Sequence, residues 1–127
     1  MPSYSILVVD DDASFGSAIR RLAERLGHTV TITFDGASGV AEARRVLPDV
    51  ILMDVMMPHL DGRDALAQLR KDEATRDIPV IICSARGSHS DRLVGLELGA
   101  DDYIVKPFDV DMLLRRIEHL AEKRKRR

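Results

Sequence analysis

Asp10, Asp11 and Asp12 stand together directly after the apolar run Ile6, Leu7, Val8, Val9, and a fourth aspartate, Asp54, follows a second apolar run ending at Met53. Ser84 follows a third run and Lys106 a fourth. Three carboxylates gathered near one point repel each other and call for a cation. An all-oxygen ligand set suits Mg²⁺, or Mn²⁺ in its place, which keeps several waters and takes one or two carboxylates plus phosphate. A carboxylate can also act as nucleophile toward phosphorus, with a metal and a nearby lysine stabilising the equatorial oxygens of the transferring group. Lys106 offers the positive charge and Ser84 a hydroxyl donor.

For these residues to meet, the chain must bring the ends of several strands to one edge. Five short apolar runs, at 6–9, 30–34, 50–53, 80–83 and 103–105, alternate with amphipathic stretches. In the first of those stretches Phe15, Ala18, Ile19, Leu22 and Leu26 recur at helical spacing, and Gly27 stands where a helix would stop. Weaker periodicity covers 37–47, 63–70, 91–98 and 110–121. Parallel strands need helical crossovers that cover both faces, so strict alternation predicts an α/β doubly wound parallel sheet of five strands and five helices. In such sheets the ligand site lies just beyond the carboxyl ends of the strands, where Asp10 to Asp12, Asp54, Ser84 and Lys106 all fall.

Taken in order, the segments 6–11, 54–58 with Asp61 and Gly62, 83–85 and 99–108 resemble the receiver domains of two-component response regulators over residues 5 to 121. The resemblance implies a flavodoxin-like sheet of order 2-1-3-4-5. It implies that Asp54 is the phospho-acceptor, that Asp10 and Asp11 form the acidic pair, and that a metal is held by Asp11, Asp54 and the backbone carbonyl of Met56, with Asp10 acting mainly through metal-bound water. Ser84 and Lys106 match the residues that contact the phosphoryl group, and Tyr103 the aromatic whose rotamer follows the Ser84 movement. The family also has a cis peptide where Lys106 precedes Pro107. Implied partners are a sensor histidine kinase or phosphotransfer protein, an output domain or effector, and a second copy through the fourth helix, fifth strand and fifth helix. Arg92, Asp102 and Arg116 match parts of that dimer pattern. Met112 departs from it, and the link from Lys71 to Pro79 is longer than usual for receivers that precede winged-helix domains. In the family, positions such as Met56 and Arg86 tune the lifetime of the acyl phosphate.

Plainer readings apply elsewhere. Asp12 caps a helix, Asp61 and Gly62 form a turn with glycine at positive φ, and Asp101 and Asp102 are surface ion-pair partners outside the pocket. His28, His59, His89 and His119 lack metal-ligand spacing. The single cysteine, Cys83, is a buried hydrophobe and fits a reducing compartment. A haloacid-dehalogenase-like phosphatase would use Asp10 and Asp12 as an Asp-x-Asp pair, but its motif order is wrong and Asp54 would have no role. A receiver-shaped adaptor that takes no phosphate is the other alternative.

With 127 residues, 45% hydrophobic and 31% charged, the chain fits one globular domain, expected at 1–121, followed by a basic tail or linker at 122–127. A net charge of −2 gives no general drive toward nucleic acid or membrane, and no apolar stretch approaches the ~18 residues of a membrane span. No signal peptide is evident, so the expected location is cytoplasmic. The domain catalyses only its own phosphoryl transfer and is not expected to be a turnover enzyme.

Overall fold

The computed structural model describes residues 3–55, 62–85 and 89–125. It contains β1 (Ser5–Val9), α1 (Ala13–Arg25), β2 (Thr29–Thr33), α2 (Gly36–Val46), β3 (Val50–Met53), α3 (Gly62–Lys71), β4 (Val80–Ser84), α4 (His89–Glu97), β5 (Asp102–Val105) and α5 (Val110–Lys125). All strand pairs are parallel, in the order β2-β1-β3-β4-β5. This is the expected doubly wound α/β sheet.

The strands read as unbroken apolar runs because both faces are covered, and their period of two sorts each run between two cores. Leu7, Val9, Ile51, Met53, Val80 and Ile82 face one core with Val40, Ala65, Leu66 and Leu69 of α2 and α3. Ile6, Val8, Val50, Leu52, Ile81 and Cys83 face the other with Ile19 of α1 and Leu113, Leu114 and Ile117 of α5. Cys83 is buried, and that burial pushes its thiol pKa up, as a small core hydrophobe requires.

Helix ends follow their local chemistry. Asp12 caps α1 by accepting from the Ser14 N–H, and Gly27, at φ 88°, closes it with its N–H on the Glu24 carbonyl. α5 runs on through Lys125, into the stretch read as tail. There the Tyr4 hydroxyl donates to Glu122 and Arg124 lies 3.9 Å from Asp49. His28 is buried. Its Nδ1 accepts the Tyr4 N–H at 3.1 Å and its Nε2 faces Glu118 at 3.1 Å, so its role is structural.

The long link between α3 and β4 is an ordered turn. Thr75 and Arg76 donate to the Asp72 carbonyl, and the buried Thr75 hydroxyl donates to Leu69. Arg70 binds it to the rest: its guanidinium donates to the carbonyls of Arg76, Ile78 and Gly99 and to Asp101. Asp101 in turn accepts the Val80 N–H. A planar five-donor fork can serve carbonyls on three sides at once, and an ammonium cannot. Arg70→Ala should therefore lower unfolding free energy by about 2–3 kcal/mol, with Arg70→Lys recovering less than half of it, as checked by urea denaturation.

Candidate functional site: an acidic pocket closed by one lysine

Asp10, Asp54 and Lys106 each stand one position past the end of a strand, and their backbones extend the sheet ladder by one bond. The Asp10 N–H donates to the Thr33 carbonyl (3.1 Å), that of Asp54 to Val9 (3.0 Å), and that of Lys106 to Ser84 (2.8 Å). Side-chain placement is thus inherited from the rigid sheet instead of a free loop.

Those bonds bring the carboxylates of Asp10, Asp11 and Asp54 together, with one oxygen from each lying within 4.8 Å of the others. Asp10 and Asp54 are buried, at 1% and 8% exposure, while Asp11 is exposed. Two like charges about 5 Å apart repel by roughly 3 kcal/mol even at an effective dielectric near 20, a large part of a domain's stability. Lys106 answers part of this: its Nζ lies 2.6 Å from Asp10 Oδ2 and 3.3 Å from Asp54 Oδ2. Asp10 Oδ1 accepts the Asp12 N–H at 2.9 Å, so both Asp10 oxygens are engaged within the fold.

Burial pushes the Asp10 carboxyl above its ordinary pKa, and hydrogen bonds from Lys106 and the Asp12 N–H offset this only in part. Burial also works against the charged form of Lys106. The hydrogen bond and charge of Asp10, with Asp54 behind it, outweigh that effect and hold its pKa above the ordinary value. Among the described residues one ammonium faces three carboxylates, so their summed charge is negative, and the oxygen-only donor set fits a hard divalent cation such as Mg²⁺.

Ser84, the last residue of β4, is buried, and its carbonyl holds Lys106 in place. Tyr103, in β5, is half-buried and packs against the α2–α3 core. A Cβ added to Gly95 of α4 would come within 2.9 Å of its ring, so α4 rests on Tyr103 through a glycine. The peptide between Lys106 and Pro107 is cis. Met56, Asp61 and Arg86 lie outside the described residues.

One expectation is corrected. Gly62 does not adopt positive φ; among the described residues the glycines that do are Gly27 and Gly99. It opens α3, and any Cβ there would run into the Asp54 carbonyl oxygen and lie 2.6 Å from the Val55 Cα. Glycine is needed for close approach of α3 to the backbone that carries Asp54. A lone glycine after an aspartate carries no signal that separates these two reasons. Asp101 and Asp102 lie outside the pocket, as expected, paired with Arg70 and Arg116.

A five-stranded parallel sheet with an acid pocket and a lysine at its carboxyl edge defines a class, and the comparisons agree on it. The response regulator receiver domain model matches residues 6–118, and the chain belongs to that family. It is 40% identical over 118 residues to the DNA-binding dual master transcriptional regulator RpaA of Synechocystis, covering 93% of this chain and 49% of RpaA. The chain thus spans about half the length of the curated relatives it matches. Among solved structures, the receiver domain of Francisella response regulator 1452 aligns with a TM-score of 0.88 at 38% identity, covering 94% of this chain and 98% of that one. The receiver domain of the sensor histidine kinase PA1611 of Pseudomonas aeruginosa aligns with a TM-score of 0.86 at 34% identity, covering 95% and 99%. That protein has a magnesium ion coordinated in its active-site cleft.

A carboxyl with a raised pKa stabilises the fold fully below its ordinary value of 3.8, and that contribution is lost as pH rises through the raised value. Without metal, the wild type should therefore lose stability relative to Asp10→Asn over the pH range above that ordinary value. Saturating Mg²⁺ should reverse the loss in the wild type. Thermal midpoints in chelator and in Mg²⁺ across that range check both statements.

Proposed function

We propose that this chain is a phosphorylation-dependent switch of two-component signalling, accepting a phosphoryl group on Asp54 from a sensor histidine kinase or a phosphotransfer protein. The observation that carries the reading is the Lys106 ammonium lying within reach of both Asp10 and Asp54 where, among the described residues, three carboxylates gather. An Asp54 carboxylate oxygen attacks phosphorus in line. The bond from phosphorus to the donor atom breaks, and its electron pair leaves with the donor, giving an acyl phosphate. Asp10, Asp11 and Asp54, with the Met56 carbonyl, are the residues that would hold Mg²⁺ or Mn²⁺. When bound, the ion neutralises the acid cluster and the phosphoryl oxygens. The magnesium in the PA1611 cleft supports this reading.

Lys106 then exchanges part of its bond to Asp10 for a phosphoryl oxygen, and the Ser84 hydroxyl donates to another. Ser84 ends β4 next to Val105 of β5, so its movement is passed to Tyr103 and from there to Gly95 of α4. Among its described residues α4 keeps Leu93, Val94 and Leu96 exposed, at 44–46%. A helix with few buried apolar contacts belongs to the easily displaced end of a fold's stability range. The α4-β5-α5 face is therefore the output surface, acting on an output domain, an effector or a second copy. Asp102 and Arg116, which match the dimer pattern, are paired with each other within this chain. The DNA-binding role in RpaA's name does not extend to this domain, which takes no nucleic acid or membrane itself. The product is the domain's own modified state, so it is not a turnover enzyme.

Incubation with acetyl phosphate and Mg²⁺ should add one phosphoryl mass to the intact wild type and none to Asp54→Ala. No gain with any divalent cation, in a folded protein by circular dichroism, would leave the adaptor as the better reading.

A further inference from the structure

Lys106 pairs with the carboxylates of Asp10 and Asp54. Its Nζ also lies 4.4 Å from the centroid of the Phe15 ring, within the ~6 Å over which a ring face attracts an ammonium. Phe15 is placed by the start of α1: Asp12 caps the helix, and the Phe15 N–H donates to the Asp12 carbonyl at 3.2 Å. Its ring meets that of Phe108 edge to face, with centroids 5.9 Å apart and planes at 83°. Phe108 lies two residues after Lys106, so the ring pair ties α1 to the loop after β5.

We propose that Phe15 is a positioning residue for phosphoryl transfer, its ring face holding the Lys106 ammonium at the mouth of the acid pocket. This rests on the switch reading above. A lysine has a four-carbon flexible stem, and holding its charge in one place costs side-chain freedom. Carboxylates alone would hold the ammonium on Asp10, away from an incoming phosphoryl group. A ring face attracts the cation without fixing the direction of its N–H bonds, so the ammonium can turn from Asp10 Oδ2 to a phosphoryl oxygen while staying over Phe15. Leucine at this position would fill part of the same apolar space but lack the negative face of the π-system. The aromatic character of Phe15 thus sets how readily Lys106 serves the phosphoryl group, beyond its packing in α1.

The test is a double-mutant cycle on the rate constant of phosphoryl gain from acetyl phosphate with Mg²⁺. Phe15→Leu and Phe15→Tyr are each made with Lys106 and with Lys106→Met. Phe15→Leu should slow the gain roughly two- to fivefold with Lys106 present and have no effect with Lys106→Met, while Phe15→Tyr restores the rate. Nuclear magnetic resonance of the Lys106 ε-methylene should show an upfield ring shift in the wild type and the Tyr variant that the Leu variant lacks. If Phe15→Leu fails to fold, Phe15→Met takes its place in the cycle. Equal slowing in both Lys106 backgrounds, or a wild-type ε-methylene without the ring shift, would overturn the inference and leave the switch reading intact. No phosphoryl gain by the wild type would overturn the switch reading and this inference with it.

Discussion

The Lys106 ammonium, held between Asp10 and Asp54, is the interaction on which this site depends. Burial and a neighbouring carboxylate both disfavour the charge of Asp10, and one lysine offsets only part of that cost. The metal-free fold therefore carries a local electrostatic strain at its carboxyl edge. It is tolerated because the sheet leaves the side chains no other place: the backbones of Asp10, Asp54 and Lys106 are each fixed by a ladder bond to a neighbouring strand. A pocket that is over-supplied with negative charge and rigidly mounted favours a divalent cation and then a phosphoryl group, each of which changes what Lys106 must neutralise.

The same sheet gives the proposed switch a preferred direction. Four helices bury apolar side chains in one of the two cores, whereas α4 keeps Leu93, Val94 and Leu96 outside and sits on Tyr103 through Gly95. At the opposite edge, Arg70 fastens the α3–β4 link to the turn before β5 with five hydrogen bonds. Under the proposed switch, movement beginning at Ser84 and Lys106 would meet a firmly tied link below and a loosely seated helix beside it.

Much of this was legible in the residues. The apolar runs located all five strands because each strand of a covered parallel sheet is apolar throughout, and residues one step past those runs, Asp10, Asp54 and Lys106, are the ones that converge. Ser84 was read as following its run and is instead the last residue of β4, while Phe34 was read into β2 but lies beyond it and is 53% exposed. What sequence could not show were contacts between distant positions whose residue types carry no local pattern. Gly62 reads as a turn glycine, yet it is the Asp54 backbone that excludes a side chain there. Arg70 carries no local pattern that announces its role, yet it organises three carbonyls. Phe15 reads as one more apolar position on α1, since nothing in the periodicity shows that its ring faces a lysine from the other end of the chain.

If Lys106 and a divalent cation neutralise the same carboxylates, removing the lysine must make the fold more dependent on metal. The direct measurement compares the Mg²⁺-induced rise in thermal midpoint for the wild type and Lys106→Met. The variant should be less stable than the wild type in chelator and gain more from saturating Mg²⁺. An equal or smaller gain in the variant would contradict this, because the lysine and the metal would then not be sharing the charge of Asp10 and Asp54.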